Sequence, residues 1–157
     1  MRRITPCLWF DGNAEEAANL YVSIFKNSKI TEVLRCGDAG PLPKGTVLTV
    51  AFELDGQAFT ALNGGPQYKL TEAVSFQVSC ETQDECDHYW NSLLAGGGTE
   101  IACGWLKDRF GVTWQVVPNR LNELFRSPDP AKAKRVMEAM FKMQKIDIAT
   151  LEAAAKG

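Results

Sequence analysis

Residues 4–25, ITPCLWFDGNAEEAANLYVSIF, decide the fold because they join a strand to a helix through one short turn. The segment Ile4–Phe10 predicts a first strand rather than a signal peptide, since its apolar stretch is short and broken by a proline. Apolar residues at helical spacing over 13–25 predict a helix. Asn13 followed by Glu16 resembles a capping box, which predicts that the helix begins at Asn13.

Three further strands are predicted after this helix. The first spans Ile30–Arg35 and is separated from the next by a loop rich in Gly and Pro, CGDAGPLPKG. The second is apolar at every even position from 48 to 54. Asp55-Gly56 predicts the tight turn of a hairpin because glycine tolerates positive φ, and QAFTALN is the returning strand.

The same order of elements returns in the second half of the chain. A strand is predicted over Val74–Cys80, and a capping box at Thr82 and Glu85 starts a helix. This helix carries Cys86, Tyr89, Trp90 and Leu93 at helical spacing and ends at a Gly-Gly-Gly run. Strands over Glu100–Cys103, Gly104–Arg109 and Val112–Val117 follow. The sequence therefore predicts an α+β protein with two βαβββ modules.

A helical tail is predicted beyond Pro118. Its helices cover Asn119–Phe125, Ala131–Lys145 and Ile148–Ala155, and the second carries Val136, Met137, Met140 and Met143 on one side. Such a stripe is typical of a packing surface.

Composition excludes several classes of protein. The net charge of −2 arises from mixed acids and bases, which excludes the basic patch of a nucleic-acid-binding protein. No apolar run is long enough to span a membrane. The five cysteines are scattered without a CxxC pair, so we expect reduced thiols, no disulfide and a cytoplasmic location.

Several motifs together resemble one family. They are the first 22 residues quoted above, the DG hairpin, SFQVSC with DECDHYWNSLLAGG, and above all CGWLKDRFGVTWQVVP. These resemble the PhnB-like branch of the vicinal-oxygen-chelate superfamily, also called glyoxalase/bleomycin resistance, in which some members carry the name 3-demethylubiquinone-9 3-methyltransferase. The resemblance extends into the tail, PDPAKAKRVMEAMFKMQKIDIATLEAA.

The resemblance implies one vicinal-oxygen-chelate domain over residues 1–157, with paired βαβββ modules and a cleft. The first module is expected at 1–66, the second at 73–118 and the tail at 119–157. The family also implies a homodimer, which the Met- and Ala-rich tail supports. It does not imply a single reaction, because function depends on the site rather than on the fold.

Strand alternation predicts which residues face the cleft. If Leu8 and Phe10, and Val74, Phe76 and Val78, pack beneath the helices, the intervening residues face the opposite side. An aromatic wall with a few hydrogen-bonding groups suits a flat organic ligand, although the same residues could line a solvated groove or a subunit contact. The predicted ligand-binding residues are Thr5, Cys7, Trp9, Thr60, Ser75, Gln77, Trp105, Asp108, Thr113 and Gln115.

Few catalytic candidates are present. His88 is the only histidine, and its position beside the packing face of the second helix predicts exposure to solvent. Cys7 has no recognisable partner base, which favours a small apolar filler over a nucleophile. Asp108 suits either the cleft or the turn of its hairpin.

A metal site is not expected. In metal-dependent relatives, His or Glu residues on the first and last strand of each module bind the ion. The matching positions here are Thr5, Thr60, Ser75 and Gln115, which are neutral and weak ligands.

Two functional classes follow from this site. One is a metal-free and cofactor-free protein that binds an aromatic or hydrophobic small molecule. The other is an enzyme acting on such a molecule, either with a glyoxalase- or dioxygenase-like activity or with the methyltransferase activity of the family name. The antiparallel hairpins argue against the nucleotide-binding fold used by common S-adenosylmethionine enzymes.

Overall fold

The chain forms two compact units, Met1–Leu70 and Thr71–Gly157. Their structure, a computed structural model, describes residues 3–157. In the first unit the elements are β1 (Cys7–Phe10), α1 (Ala14–Ile24), β2 (Lys29–Arg35), β3 (Val47–Leu54) and β4 (Gln57–Asn63). In the second they are β5 (Ser75–Cys80), α2 (Gln83–Leu94), β6 (Thr99–Glu100), β7 (Trp105–Lys107), β8 (Thr113–Pro118), α3 (Asn119–Phe125), α4 (Pro130–Met140) and α5 (Ile148–Lys156).

Each unit contains one four-stranded mixed sheet. The strand order is β1-β4-β3-β2 in the first sheet and β5-β8-β7-β6 in the second. The outer pairs β1–β4 and β5–β8 are parallel, whereas the remaining neighbours are antiparallel. The predicted α+β fold with two βαβββ modules and a helical tail is confirmed.

The first sheet has the expected two faces. Leu8 and Phe10 are buried, and α1 packs close to the sheet because Ala17 and Ala18 on its inner side are small. The hairpin between β3 and β4 turns at Asp55 (φ 45°) and Gly56 (φ 77°). Two successive positive φ values match the right-handed twist of the flanking strands, as the DG motif predicted.

The second module departs from the prediction at its strand ends. Val74 precedes β5 and is 66% exposed, so it does not pack beneath a helix. Strands β6 and β7 are shorter than expected because Cys103 and Gly104, between them, adopt φ values of 60° and 82°. These left-handed conformations cannot continue an extended strand.

Only one of the two predicted capping boxes receives its side-chain cap. The Thr82 side chain accepts a hydrogen bond from the Glu85 amide over 3.2 Å. Helix α1 does begin after Asn13, but the Asn13 side chain makes no capping hydrogen bond. Instead, Oδ1 of buried Asn63, at the end of β4, accepts from the Ala14 amide over 2.9 Å. A residue distant in sequence thus satisfies this helix end.

The tail forms a small hydrophobic core of its own. Its buried residues are Leu121, Leu124, Val136, Ile146, Leu151 and Ala155, with Met140 and Met143 packed against them. Met137, predicted on the same stripe, is instead 43% exposed.

Backbone hydrogen bonds attach the tail to the second sheet. Cys103 and Gly104 donate their amides to the carbonyl oxygens of Met143 and Gln144. The Gln83 side chain, at the start of α2, accepts from the Ile148 amide and donates to the Ile146 carbonyl. These contacts fix the tail segment 143–148 to both the β6–β7 connection and α2.

A disulfide joins Cys80 and Cys86, so the expectation of five free thiols is wrong. Cys80 ends β5 and Cys86 lies in the first turn of α2. The strand-to-helix turn brings their Cα atoms to 5.4 Å, a separation that a disulfide can bridge. Cys7, Cys36 and Cys103 are free.

Candidate functional site

Three predicted ligand-binding residues lie side by side on one face of the second sheet. Gln77 on β5 is the register partner of Gln115 on β8, which is in turn the partner of Trp105 on β7. Adjacent strands in a sheet are about 4.8 Å apart, so these side chains form a continuous row. Two amides and one indole therefore stand next to each other.

Hydrogen bonds orient the two amides of this row. Gln115 donates through Nε2 to Ser75 Oγ over 2.8 Å. Gln77 donates through Nε2 to Gln115 Oε1 over 3.4 Å. The carbonyl oxygen of Gln115 and one of its N–H groups are thus engaged within the sheet. These two bonds fix the orientation of the Gln115 amide and, through it, that of Gln77.

A pocket of about 510 Å³ lies between this row and the helical tail. From the second sheet it is lined by the row, by Val117 of β8 and by the β6–β7 connection. From the tail it is lined by residues of α3, by the last residue of α4 and by Phe141 after it. The lining residues are Gln77, Ile101, Ala102, Cys103, Trp105, Gln115, Val117, Leu121, Asn122, Phe125, Met140 and Phe141.

Much of this lining could not be recognised from the sequence. Leu121, Phe125 and Met140 belong to the apolar side of the tail helices, which predicted packing but not the surface packed against. Cys103 lines the pocket because the left-handed turn at residues 103 and 104 positions it there. Its thiol is partly buried.

Two predicted residues of the first unit lie on the face of the first sheet opposite α1. Cys7 and Thr60 are register partners in the parallel pair β1–β4. Cys7 is exposed, yet desolvation by neighbouring atoms raises the pKa of its thiol above the ordinary value. A raised pKa leaves less thiolate at neutral pH, which agrees with the interpretation of Cys7 as a non-nucleophilic residue. Thr5 is exposed and precedes β1.

Trp9, on the same face as Cys7, is held by its own unit. Its indole Nε1 donates to the Gly65 carbonyl over 2.8 Å, and its ring makes an edge contact with Tyr68 at 4.9 Å. A Cβ atom at Gly64 would clash with the Trp9 ring, so only glycine permits this packing. The indole N–H of Trp9 therefore already has a hydrogen-bond acceptor within its own unit.

Asp108 and Thr113 lie in the hairpin between β7 and β8 and are both buried. Asp108 Oδ1 accepts from the backbone amides of Phe110 and Val112 over 2.9 and 3.0 Å. Thr113 is 1% exposed, and within residues 3–157 its Oγ1 is the one buried side-chain polar atom without a hydrogen-bond partner. Neither residue lines the pocket.

The residues at the superfamily's metal positions do not fit a metal. Ser75 and Gln115 are neutral and bonded to each other, and Thr60 and Thr5 are hydroxyl residues. Across the described part of the chain, no three His, Cys, Asp or Glu residues are grouped so that they could bind an ion. His88 is exposed on α2, as predicted, and does not line the pocket. No helix within residues 3–157 is long and apolar enough to cross a membrane.

Comparison with known proteins identifies the family. Residues 2–117 match the model of the family described as 3-demethylubiquinone-9 3-methyltransferase. The PhnB protein from Bacillus cereus, whose description names the same methyltransferase, is 35% identical to this chain. The match covers 74% of this chain and 99% of the PhnB chain, with a TM-score of 0.69. Protein PA1353 from Pseudomonas aeruginosa is 25% identical, with coverages of 75% and 98% and a TM-score of 0.63.

A more distant structure shares the fold alone. The fosfomycin resistance protein FosX from Listeria monocytogenes is 15% identical, with coverages of 75% and 93% and a TM-score of 0.51. No curated protein matches the chain significantly. The family match ends at residue 117, so the tail expected to share the resemblance lies outside it. The chain therefore belongs to the PhnB-like 3-demethylubiquinone-9 3-methyltransferase family.

Proposed function

We propose that this protein binds a small aromatic or hydrophobic molecule, without a metal ion, in the pocket between the second sheet and the helical tail. The observation that carries the proposal is the row Gln77–Gln115–Trp105 facing an apolar wall of Leu121 and Phe125. Binding sites for small organic molecules are typically concave and mostly apolar, with a few convergent polar groups that set orientation.

The size and chemistry of the pocket support this proposal. A volume of about 510 Å³ lies within the range of sites for small organic ligands. Trp105 offers an aromatic surface for stacking, and Phe125 and Phe141 add two aromatic side chains from the tail. The oriented amides of Gln77 and Gln115 can then fix one polar group of the ligand.

Catalysis is the second functional class, because the family name describes a methyltransferase. Among the described residues that line the pocket there is no carboxylate and no imidazole, and the Cys103 thiol is the only ionisable group. General acid-base chemistry commonly uses His, Asp or Glu within hydrogen-bond reach of the substrate. This lining therefore supports binding over acid-base catalysis. Binding of S-adenosylmethionine at micromolar concentration, together with methyl transfer, would instead support a methyltransferase activity.

The proposal is tested by calorimetric titration with an uncharged probe, 2-acetylnaphthalene. Ala102 lines the pocket and is exposed, so Ala102→Trp fills the pocket without disturbing the hydrophobic core. Ala153→Trp, at an exposed position of α5, is the matched control. We expect saturable binding to the unmodified protein and to Ala153→Trp, and roughly tenfold weaker binding to Ala102→Trp. Equal affinities of the two variants for the probe, or no binding by any of the three proteins, would refute the proposal that the probe binds in this pocket.

We also propose that the protein is a homodimer. Met137 and Phe141 on the tail are 43% and 64% exposed, and exposed apolar side chains close together favour association. Symmetric dimers are the commonest oligomers of soluble proteins.

A further inference from the structure

We propose that the pocket selects an uncharged ligand whose polar group both donates and accepts a hydrogen bond, as a primary carboxamide does. This inference rests on the proposed function and names the chemical class of its ligand. It depends on two features of the lining, the absence of charge and the direction of the amide pair.

The described residues that line the pocket include no Asp, Glu, Lys, Arg or His. Their polar groups are the amides of Gln77, Gln115 and Asn122 and the thiol of Cys103. A charged ligand loses hydration on entering a pocket and needs an opposite charge in compensation. Amide dipoles compensate only partly. The lining therefore disfavours carboxylates and ammonium groups alike.

The amide pair leaves Gln77 available to the ligand. Gln115 donates one N–H to Ser75 and accepts from Gln77, so its carbonyl oxygen and one of its N–H groups are engaged. The described bonds of Gln77 use one N–H, which leaves a second N–H and the carbonyl oxygen at the exposed end of the pair. An amide has two donor hydrogens and one carbonyl acceptor. A ligand amide can therefore pair with Gln77 through both of its own groups.

Two probes that differ in this group alone test the selectivity. They are 2-naphthamide and 2-naphthoate, which share one ring system and differ in charge at neutral pH. Calorimetry on the complete chain should give a dissociation constant for the amide at least roughly tenfold lower than for the carboxylate, because the carboxylate charge finds no partner in the lining.

Gln77→Lys supplies the missing charge. We expect it to reverse the preference, with tighter naphthoate binding and weaker naphthamide binding. The matched control is Gln57→Lys, which makes the same change of charge at an exposed position of the first unit and should keep the preference of the unmodified protein.

The outcomes separate the two proposals. If 2-acetylnaphthalene binds but naphthoate binds as well as naphthamide, the selectivity is wrong and the binding function stands. The same conclusion follows if Gln77→Lys leaves the preference unchanged, or if naphthamide alone fails to bind. If none of the three compounds binds, the proposed function itself is wrong.

Discussion

Asp108 accepts the indole N–H of Trp114 through Oδ2 over 2.9 Å, at the base of the β7–β8 hairpin. The other oxygen of this carboxylate accepts two backbone amides of the same turn. The sequence is compatible with Asp108 in either the cleft or the turn. The geometry favours the turn, because a buried carboxylate with three donors is already satisfied.

We predict that Asp108→Ala destabilises the protein by about 3 kcal/mol, since it leaves buried donors without an acceptor. Urea unfolding measures the change. Asp38→Ala is the matched control, because Asp38 is exposed and should change stability by less than about 0.5 kcal/mol. Asp108→Ala with unchanged stability but lost ligand binding would place Asp108 in the binding site instead.

For Thr113 we expect that removing the polar group does not destabilise the protein, in contrast to Asp108. Its hydroxyl is buried without a partner, so Thr113→Val should leave stability unchanged or raise it by up to about 1 kcal/mol. Thr113→Ser keeps the hydroxyl but removes a buried methyl group, and should lower stability by about 1 kcal/mol. Thermal unfolding of both variants compares them. A clear loss of stability in Thr113→Val would show that the hydroxyl has a partner.

The disulfide between Cys80 and Cys86 predicts a thiol count. Protein purified without reductant and then denatured should react at three of its five cysteines, namely Cys7, Cys36 and Cys103. Reduction should expose all five and lower stability by about 2 kcal/mol, as expected for a short closed loop. Five reactive thiols before reduction would restore the original expectation of unpaired cysteines.

Light scattering at micromolar concentration tests the proposed homodimer. We expect twice the 17.3 kDa mass of one chain. Met137→Lys should shift the equilibrium toward the single chain, because a charge replaces an exposed apolar side chain of the tail. A single species of 17.3 kDa for the unmodified protein would contradict the dimer.

Elemental analysis tests the expectation that no divalent metal binds at the superfamily positions. Protein purified without a chelator or a metal-affinity tag should contain far less than a stoichiometric amount of transition metal. Gln115 and Ser75 are neutral and engaged with each other, so they cannot offset the dehydration of an ion. A stoichiometric metal that disappears in Gln115→Ala would refute this expectation.

Local patterns predicted the elements of the fold well. The Asp55-Gly56 turn and the buried alternation of Leu8 and Phe10 depend on neighbouring residues, which the sequence displays directly. Asn13 shows the limit of such reasoning, because distant Asn63 provides the cap. The Cys80–Cys86 pair likewise becomes apparent only once the turn between β5 and α2 brings the two residues together.

The candidate site was predictable in part. Alternation identified Gln77 and Gln115 as facing away from α2, and Trp105 joins them in register. The tail wall could not be derived, because an amphipathic helix indicates that it packs but not on which surface. Leu121 and Phe125 therefore entered the pocket only through the tertiary structure.

Native mass spectrometry of the purified protein tests the central claim most directly. We predict that the purified protein, or the protein after incubation with 2-acetylnaphthalene, carries one small molecule per subunit and releases it unchanged on denaturation. Ala102→Trp should lose this molecule, and Ala153→Trp should retain it. A bound molecule that remains in Ala102→Trp, or a chain that never carries one, would contradict binding in this pocket.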